Sequence, residues 1–459
     1  MEPRSCESLR AGAALLPEGW VNDVRIEIEH GRIRSISRDE PLRAGEASAA
    51  VLLPGMPNVH SHAFQRGMAG LTEYRGPSAD NFWSWRTLMY RFVGRMTPED
   101  LEAVTTWAFV EMLEAGFTRV GEFHYVHHDT VGKPYADPAE LTARVAAAAE
   151  RTGIALTLLP VFYAHGGFGG EPPAEGQRRF INDVPTFARL LEASRRIAAR
   201  LPDAIVGIAP HSLRAVTADE LLELLPLAGT GPVHMHAAEQ VAEVEQCLGW
   251  SGARPVQWLL DHAAVDERWC LVHSTHLDDS EIARLAASGA VAGLCPVTEA
   301  NLGDGIFPAS RYLAAGGRFG IGTDSNVSIS VSEELRQLEY SQRLRDRARN
   351  CVGGRLPSTG RTLFDGALLG GSQSLGIGAA GTGIRVGASA DFFSLAPESP
   401  LFAERSGDAL LDTLVFAAPR DAIEGVWRAG RQWVSGGRHV AREQAARAWR
   451  AALARMLQS

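Results

Sequence analysis

The sequence has almost no lysine and few cysteines. Lys133 is the only lysine among 45 basic residues, so arginine carries nearly all of the positive charge. The five cysteines are odd in number, widely spaced and form no Cys-x-x-Cys pair. This pattern favours neither a thiolate metal knuckle nor a disulfide framework. The cysteines are Cys6, Cys247, Cys270, Cys295 and Cys351.

Long apolar runs and an excess of positive charge are also missing. No apolar stretch approaches membrane-spanning length, and residues 1–10 lack the basic start and apolar core of a signal peptide. The net charge of −9 argues against nucleic acid or an anionic membrane as the main partner. With 45% hydrophobic and 22% charged residues, the composition is that of an ordinary globular protein. We therefore expect a soluble, cytoplasmic protein.

Both ends of the chain carry β-hairpin patterns. Apolar and polar residues alternate over 23–29 and 32–36 around a His-Gly turn, and again over 423–434. This alternation is typical of hairpins with one solvated face. We predict that residues 1–54 and 381–459 together form a small β-sandwich domain, with a helix over 443–457.

Between these ends, over residues 55–380, short apolar runs alternate with longer amphipathic stretches. This alternation favours an α/β fold of βα units with a parallel sheet. Eight such repeats match a TIM-like (β/α)8 barrel, although a doubly wound sheet could also hold that many strands. The candidate strands are 56–63, 117–125, 154–165, 204–213, 232–239, 269–276, 290–297 and 318–325.

Histidines and an aspartate stand at the ends of these predicted strands. His60 and His62 are two residues apart on strand one, so their rings project from the same face. Barrel enzymes place their chemistry at this edge. Three histidines and one aspartate from strands one, five and eight would suit Zn²⁺ or Fe²⁺. The other residues of this kind are His234 and His236 on strand five, His273 on strand six and Asp324 on strand eight.

This arrangement resembles the amidohydrolase superfamily, whose pattern is His-x-His on strand one, histidines on strands five and six, and aspartate on strand eight. The resemblance covers essentially the whole chain. Many binuclear members carry a strand-four lysine that becomes a carbamate bridging two metals. Predicted strand four has no lysine, and Lys133 lies in a polar loop, so we expect a single metal ion. The resemblance implies that its ligands are His60, His62, His236 and Asp324.

Strand five also carries a glutamate that matches the deaminases of this superfamily. The stretch from His236 to Glu239 has their His-x-x-Glu pattern, in which the glutamate shuttles a proton, and this spacing favours His236 over His234 as the ligand. A metal of this kind lowers the pKa of bound water to about 7. We expect Asp324 to accept a proton from that water, His273 to hold the water, and Glu239 to protonate the departing nitrogen. The expected reaction is hydrolytic deamination.

Two longer stretches narrow the substrate. Residues 60–70 (HSHAFQRGMAG) and 80–90 (DNFWSWRTLMY) are similar to the formimidoylglutamate deiminases of histidine degradation. The resemblance implies conversion of N-formimino-L-glutamate to N-formyl-L-glutamate and ammonia. It further implies a homodimer, which is common in similar enzymes. The substrate contacts that it implies are Gln65, Arg86, Tyr125, His211 and Arg214.

Two of these residues bear on whether the chain can hold a dicarboxylate. A guanidinium offers a planar pair of donors to a carboxylate, so Arg86 and Arg214 near a metal would suit a substrate with two acidic groups. Either arginine could instead form a surface salt bridge, and Tyr125 could pack on the barrel rim. For the aromatic residues just before Arg86 we expect hydrophobic packing.

Two other functions stay open from the sequence. Another amidohydrolase deaminase, acting on guanine, an adenosine-like compound or a triazine, would share the metal site but would need a pocket for a flat ring. A non-catalytic, metal-free member would act through protein contacts, but such proteins lose ligands, and here every expected ligand position is filled. We expect Zn²⁺ as the metal, with Fe²⁺ as the alternative.

Overall fold

The chain begins in β-structure. The computed structural model describes residues 3–41, 43–74, 82–354, 356–396 and 399–457, so Asp80 and Asn81 of the stretch over 80–90 lie outside the described residues. The strands that precede the barrel are β1 (Arg4–Ser5), β2 (Ser8–Leu16), β3 (Gly19–Glu29), β4 (Arg32–Arg38) and β5 (Ala47–Pro54).

Parallel strands then form a closed barrel. Two sheets make up its wall, and two isolated parallel bridges, Ile208 to Val233 and Ser61 to Asp324, join them into a ring. The predicted (β/α)8 barrel is therefore confirmed. Its strands are β6 (Met56–Ser61), β7 (Phe117–His124), β8 (Ala155–Phe162), β9 (Ile205–Val206), β10 (Ala209–Pro210), β11 (Val233–Ala237), β12 (Trp269–His273), β13 (Val291–Leu294) and β14 (Arg318–Ile321).

All eight barrel strands are shorter than their predicted ranges, and for two of them the local reason is clear. The fourth is divided into β9 and β10, because the chain changes partner there: Gly207 N donates to Leu158 O on one side, and Ile208 N donates to Pro232 O on the other. A Cβ on Gly207 would lie only 2.4 Å from Pro232 O, so this crossing needs glycine. The seventh strand ends at Leu294, because Pro296 begins a helix.

Helices follow the strands and pack around the barrel. Several begin at a side-chain cap: Thr217, for example, accepts a hydrogen bond from the backbone amide of Glu220. No helix in the described ranges is long and apolar enough to cross a bilayer. The helices are α1 (Phe82–Val93), α2 (Pro98–Glu114), α3 (Glu140–Thr152), α4 (Val184–Ala198), α5 (Ala218–Leu224), α6 (Val241–Ser251), α7 (Pro255–His262), α8 (Asp279–Ser288), α9 (Pro296–Leu302), α10 (Ala309–Ala314), α11 (Val331–Asp346), α12 (Thr359–Ser374), α13 (Asp408–Phe416) and α14 (Arg442–Leu457).

The two ends of the chain meet in one sheet. Its later strands are β15 (Phe392–Leu395), β16 (Ile423–Arg428), β17 (Arg431–Ser435) and β18 (Arg438–His439). Antiparallel pairing of β5 with β15 joins the N-terminal strands to the C-terminal ones, and Val24, Ile26 and Trp427 lie in a core separate from that of the barrel. The predicted β-domain from both ends is confirmed, with its strands hydrogen-bonded in a single curled sheet. The exact boundaries at residues 54 and 381 stay a prediction.

Buried polar contacts tie the last segment to the barrel helices. His439 Nε2 donates to Thr152 O at 3.0 Å, while His439 Nδ1 accepts from Ala441 N at 3.0 Å. Glu114 accepts from the backbone amide of His439 and forms an ion pair with Arg442. These contacts hold the start of α14, whose range agrees closely with the helix predicted over 443–457.

Candidate metal centre and active site

Four side chains converge at the carboxyl ends of β6, β11 and β14. His60 Nε2 lies 3.2 Å from His62 Nε2 and 3.1 Å from His236 Nε2. Asp324 Oδ1 lies 3.4 Å from Nε2 of both His60 and His62. A tetrahedral site with metal–ligand distances of about 2.0–2.2 Å has edges of about 3.3–3.6 Å. These four distances are close to that range, and all four ligand atoms lie within 4.8 Å of one another, so they could hold one metal ion.

Backbone carbonyls fix the orientation of two of these imidazoles. His62 Nδ1 donates to Phe123 O at 2.9 Å, and His236 Nδ1 donates to His211 O at 3.0 Å. Each ring then carries its proton on Nδ1 and directs the Nε2 lone pair towards the cluster. Lone pairs of neighbouring rings repel one another unless a cation lies between them. The donor set thus fits a divalent metal.

The protonation states agree with this reading. Burial lowers the pKa of His60 to about 3 and also lowers the pKa values of His62 and His236, so the three rings are neutral. For Asp324, burial alone would raise the pKa, but the interaction with His60 brings it below its ordinary value. Three neutral imidazoles and one carboxylate are typical ligands of Zn²⁺ or Fe²⁺.

Two strand-end residues have a left-handed backbone. His273 has φ of 68° and Asp324 has φ of 43°, a region that non-glycine residues enter at a cost of about 1–3 kcal/mol. The bridge between Ser61 and Asp324 and the hydrogen bond from His62 N to Asp324 O hold this turn in place. The strain therefore aims both side chains into the mouth of the barrel.

Two carboxylates flank the ring of His273. Its Nδ1 donates to Glu299 Oε1 at 3.3 Å, and its Nε2 lies 3.7 Å from Glu239 Oε1. Burial alone would lower the pKa of His273, but the two carboxylates outweigh this effect and raise it. Burial raises the pKa of Glu239 although His273 and Arg214 oppose the rise. One proton can therefore be shared between His273 and Glu239.

Two guanidinium groups line the same cavity, and both lie near the ring of Trp83. Arg86, on α1, has its Cζ 4.4 Å from the centre of the Trp83 ring, and Arg214 has its Cζ 5.8 Å from the same ring. Arg214 Nη2 also lies 3.6 Å from Glu239 Oε2. Its Nε is buried and has no hydrogen-bond partner among the described residues. Unsatisfied donors at this position would suit a bound anion.

The remaining predicted contacts lie between the metal cluster and the arginines. Gln65 Nε2 donates to the Tyr125 hydroxyl at 2.8 Å, which leaves the buried Gln65 Oε1 without a partner in the described part of the chain. His211 Nδ1 forms a hydrogen bond with Ser212 Oγ at 3.0 Å. The centre of the His211 ring lies 4.5 Å from the centre of the Tyr163 ring. All these side chains line one cavity.

Comparisons with known proteins decide the family. The model of the amidohydrolase family matches residues 51–433. The chain belongs to the amidohydrolase family. A second model, described as the N-terminal domain of formimidoylglutamate deiminase HutF, matches residues 8–49 of this amidohydrolase.

Individual relatives agree with this assignment. A formimidoylglutamate deiminase from Pseudomonas aeruginosa is 52% identical, and the match covers 97% of this chain and 99% of the relative. A crystal structure of an amidohydrolase from Brucella melitensis superposes with a TM-score of 0.95 at 55% identity, covering 98% of this chain and 100% of that one. A zinc-bound adenosine deaminase from Xanthomonas campestris, 23% identical with a TM-score of 0.78, covers 99% and 100% of the two chains and shares the fold. The predicted resemblance to formimidoylglutamate deiminases is confirmed.

The structure of this amidohydrolase resolves one ambiguity that the sequence left. His234 and His236 are both buried and share a face of β11, but His234 Nε2 donates to Ser374 O at 2.7 Å. Only His236 of the two reaches the cluster with His60. The preference for His236, based on its spacing to Glu239, therefore agrees with the geometry.

The structure also adds residues to the cavity that the sequence reasoning missed. Glu299, which contacts His273 from below the lining, is five residues beyond the end of β13, and no periodic pattern marks it in the sequence. Tyr163 directly follows β8, and the rule that strand ends carry function could have drawn attention to it. Contrary to our expectation of packing alone, Phe82 and Trp85 line the cavity. The full lining comprises His62, Gln65, Phe82, Trp85, Arg86, Met89, Tyr90, Tyr125, Tyr163, Phe180, His211, Arg214, His236, Glu239, His273, Leu302 and Asp324.

The predicted site residues are thus brought together in one place. His60 lies beneath the cavity as a fully buried member of the cluster, and the other predicted residues line it. Their individual roles as ligands, proton carriers and substrate contacts stay predictions that the geometry supports.

Proposed function

We propose that this protein hydrolyses N-formimino-L-glutamate to N-formyl-L-glutamate and ammonia, a step of histidine degradation. It would then be a metal-dependent hydrolase acting on the carbon–nitrogen bond of a linear amidine. Support comes from the relative from Pseudomonas aeruginosa and from the HutF domain match. The single observation that carries the proposal is the placement of Arg86 and Arg214 in the cavity of the metal cluster.

Charge favours a dicarboxylate over a flat neutral ring. Two guanidiniums in an aromatic-lined cavity would remain uncompensated with guanine or an adenosine-like compound, and buried unpaired charge is costly. A glutamate derivative brings one carboxylate for each arginine. The aromatic side chains around them exclude water, which strengthens both ion pairs.

In the proposed mechanism the protein residues manage the protons. A divalent metal held by His60, His62, His236 and Asp324 would supply a water molecule of lowered pKa. The oxygen of that water forms a bond to the amidine carbon, and the bond from that carbon to the terminal nitrogen breaks. Both water protons end on the departing nitrogen, which leaves as ammonia, while the oxygen remains as the formyl carbonyl.

Asp324, His273 and Glu239 are placed to move these protons. Asp324 is ionised and can accept a proton on the carboxylate oxygen that does not face the histidine cluster. His273 is held by Glu299, so its Nε2 faces the cavity and can orient the water and polarise the amidine. Glu239 has a raised pKa, so it can both take up a proton and release it to the leaving nitrogen.

Several finer features belong to the same proposal. The ligand set supports Zn²⁺, with Fe²⁺ as an alternative, since three imidazoles and a carboxylate accept either ion. We keep the homodimer and the cytoplasmic location as predictions. The substrate would be a small dicarboxylate, with neither nucleic acid nor a membrane as partner.

Ammonia release from purified protein tests the proposal. Protein loaded with Zn²⁺ or Fe²⁺ is assayed with N-formimino-L-glutamate, N-formimino-L-aspartate and guanine. We expect kcat/KM to be highest for the glutamate compound, since one methylene in a fitted pocket is worth roughly 10- to 200-fold. No ammonia from the glutamate compound would overturn the proposed substrate, and turnover of guanine would replace it.

A matched pair of histidine variants tests the metal centre. His236→Asn should lose both bound metal and activity. His234→Asn removes a buried imidazole from the same strand but should retain about one equivalent of metal, because His234 points towards Ser374. Less than a tenth of an equivalent in metal-replete wild-type protein would overturn the metal-dependent mechanism.

A further inference from the structure

A tyrosine beside the two arginines has no role in the mechanism described above. Tyr90 follows Arg86 by one helical turn on α1, and the centre of its ring lies 5.6 Å from Arg86 Cζ. It lines the cavity together with Arg214. The phenol thus lies in the cavity beside the guanidinium of Arg86.

Hydrogen bonds hold Tyr163, a second tyrosine that lines the cavity with Tyr90. Gln177 Oε1 accepts from Ala174 N at 2.6 Å, which fixes the orientation of the amide group. Gln177 Nε2 then donates to the Tyr163 hydroxyl at 2.6 Å. The Tyr163 oxygen thus accepts a hydrogen bond from this turn, which holds the phenol in place beside the cavity.

The positions of the two rings favour Tyr90 over Tyr163 as a donor to a ligand beside Arg86. Tyr163 is buried and packs against His211, with ring centres 4.5 Å apart, whereas Tyr90 is half-buried and faces the Arg86 guanidinium. Burial raises the pKa of the Tyr90 phenol, so the hydroxyl keeps its proton. A neutral donor therefore stands beside two cations.

The ring of Tyr90 is also held rigidly. A Cβ on Gly176 would lie 2.5 Å from Tyr90 Cδ2, so the short turn Glu175–Gln177 packs directly on the face of the ring. The same turn carries Gln177, whose side chain is buried. One segment thus fixes both the Tyr90 ring and the donor to Tyr163.

A carboxylate in this position needs more donors than a single guanidinium supplies. Its two oxygens offer about four lone pairs, and a two-point contact with guanidinium uses two of them. Buried acceptors left without a donor weaken binding. We propose that the Tyr90 hydroxyl is a specificity-determining donor to the substrate carboxylate that Arg86 binds. This inference rests on the proposed function for the identity of the dicarboxylate.

Binding of the reaction product tests the role of Tyr90 without turnover. Calorimetry measures the Kd of N-formyl-L-glutamate for metal-loaded wild-type protein and for Tyr90→Phe. Loss of a hydrogen bond to a charged group should weaken binding by roughly 10- to 100-fold. In steady-state assays of N-formimino-L-glutamate, KM should rise by a similar factor while kcat changes by less than about threefold. A Kd within twofold of the wild-type value would overturn the proposal.

Two further phenylalanine variants serve as matched controls. Tyr163→Phe leaves the Tyr90 hydroxyl in place, so we expect a smaller loss of affinity than for Tyr90→Phe. Tyr312→Phe removes a buried hydroxyl that contacts Ala290 O, far from the cavity lining, and should leave Kd unchanged. A larger loss for Tyr163→Phe than for Tyr90→Phe would assign the donor to Tyr163 and overturn the inference.

Analogues with one carboxylate show whether Tyr90 binds a carboxylate or only supports the cavity wall. N-formyl-4-aminobutanoate lacks the α-carboxylate, and N-formyl-L-norvaline lacks the side-chain carboxylate. The penalty of Tyr90→Phe should persist for one analogue and disappear for the other, whereas an equal penalty for both would overturn the inference. If the wild-type protein binds N-formyl-L-glutamate but releases no ammonia from the formimino compound, the proposed function fails while the binding comparison still decides the role of Tyr90. Wild-type protein that binds no N-formyl-L-glutamate would overturn the carboxylate contact, whatever its turnover.

Discussion

The metal cluster and the arginine pair share one cavity but differ in how the chain holds them. The cluster stands on strand ends of the barrel, and its side chains are fixed by backbone carbonyls such as Phe123 O and His211 O. Arg86 lies on α1, outside the barrel wall, and contacts the rings of Trp83 and Tyr90. The first region is rigid because the barrel is closed, and the second depends on packing between side chains.

This difference predicts that the two regions affect different kinetic constants. Groups on the strand ends act on the reacting carbon and should determine kcat, while groups on α1 act on the distant carboxylates and should determine KM. Arg214 belongs to both regions, since it follows β10 directly and its guanidinium lies 3.6 Å from Glu239. Variants of these residues can separate the effects on kcat from the effects on KM.

The largest expected effect is that of Glu239→Gln. The amide keeps the size of the side chain but cannot carry a proton to the departing nitrogen, so kcat should fall by roughly 10²- to 10⁴-fold. Metal content should not change, because Glu239 is outside the ligand cluster. Steady-state ammonia release and metal analysis measure both quantities.

Glu339→Gln is the matched control for this change. Glu339 is also buried, but it pairs with Arg343 and accepts from the amides of Cys351 and Val352, away from the cavity lining. Its replacement should lower thermal stability and leave kcat unchanged. A Glu239→Gln variant with wild-type kcat would show that the strand-end region does not deliver the proton through this residue.

The next effect in size concerns Arg86. Arg86→Met keeps contact with Trp83 but removes two donors, so KM should rise by roughly 10- to 100-fold with kcat within about threefold. Arg343→Met is a suitable control, since Arg343 also packs on aromatic rings, those of Tyr340 and Phe416. Equal losses in kcat and kcat/KM for Arg86→Met would contradict the division between the two regions.

Arg214→Met tests whether Arg214 contributes to both regions. We expect it to raise KM and also to lower kcat, because removal of the guanidinium takes away an interaction that lowers the pKa of Glu239. The pH dependence of kcat should then shift to higher pH for Arg214→Met and not for Arg86→Met. If the pH profiles of kcat were identical for the two variants, Arg214 would not act on Glu239 and would not belong to the strand-end region.

The same contrast explains what could be predicted from the sequence. Side chains two residues apart on a strand share a face, and all barrel strands end at one rim, so strand spacing could place His60, His62, His273 and Asp324 at that rim. The choice of His236 over His234 and the role of Glu239 came from the resemblance to a family. The limits of the strands were harder to predict, since the division of strand four depends on the approach of Pro232 to Gly207.

Residues outside the strands could not be placed by spacing. The roles of Arg86 and Arg214 came from the resemblance to a family, because nothing in the local pattern shows that both guanidiniums lie beside Trp83. Tyr90 and Glu299 were missed for the same physical reason: their positions depend on contacts between distant segments. The turn Glu175–Gln177 that packs on Tyr90 is far from it in the sequence.

The smallest effect on catalysis is expected at His439, which contacts neither region. Burial lowers its pKa from 6.5 to about 4, so the folded protein disfavours the proton that the unfolded chain accepts. Its contribution to stability is present above pH 6.5 and is lost as the pH falls towards 4. The cost of acidification from pH 7.5 to pH 5 is about 2 kcal/mol for this group.

His439→Gln isolates this contribution, because glutamine can still donate to Thr152 O but does not titrate. Urea unfolding of metal-loaded protein at pH 7.5 and pH 5 should show a smaller loss of unfolding free energy in the variant than in the wild type. The difference between the two losses should be about 2 kcal/mol, while kcat and KM at pH 7.5 stay unchanged. If the variant and the wild type lost the same unfolding free energy, the pKa of the imidazole would be the same in the folded and unfolded protein. A change in KM would instead couple the start of α14 to the carboxylate region, through α2 and α3, against which His439 packs.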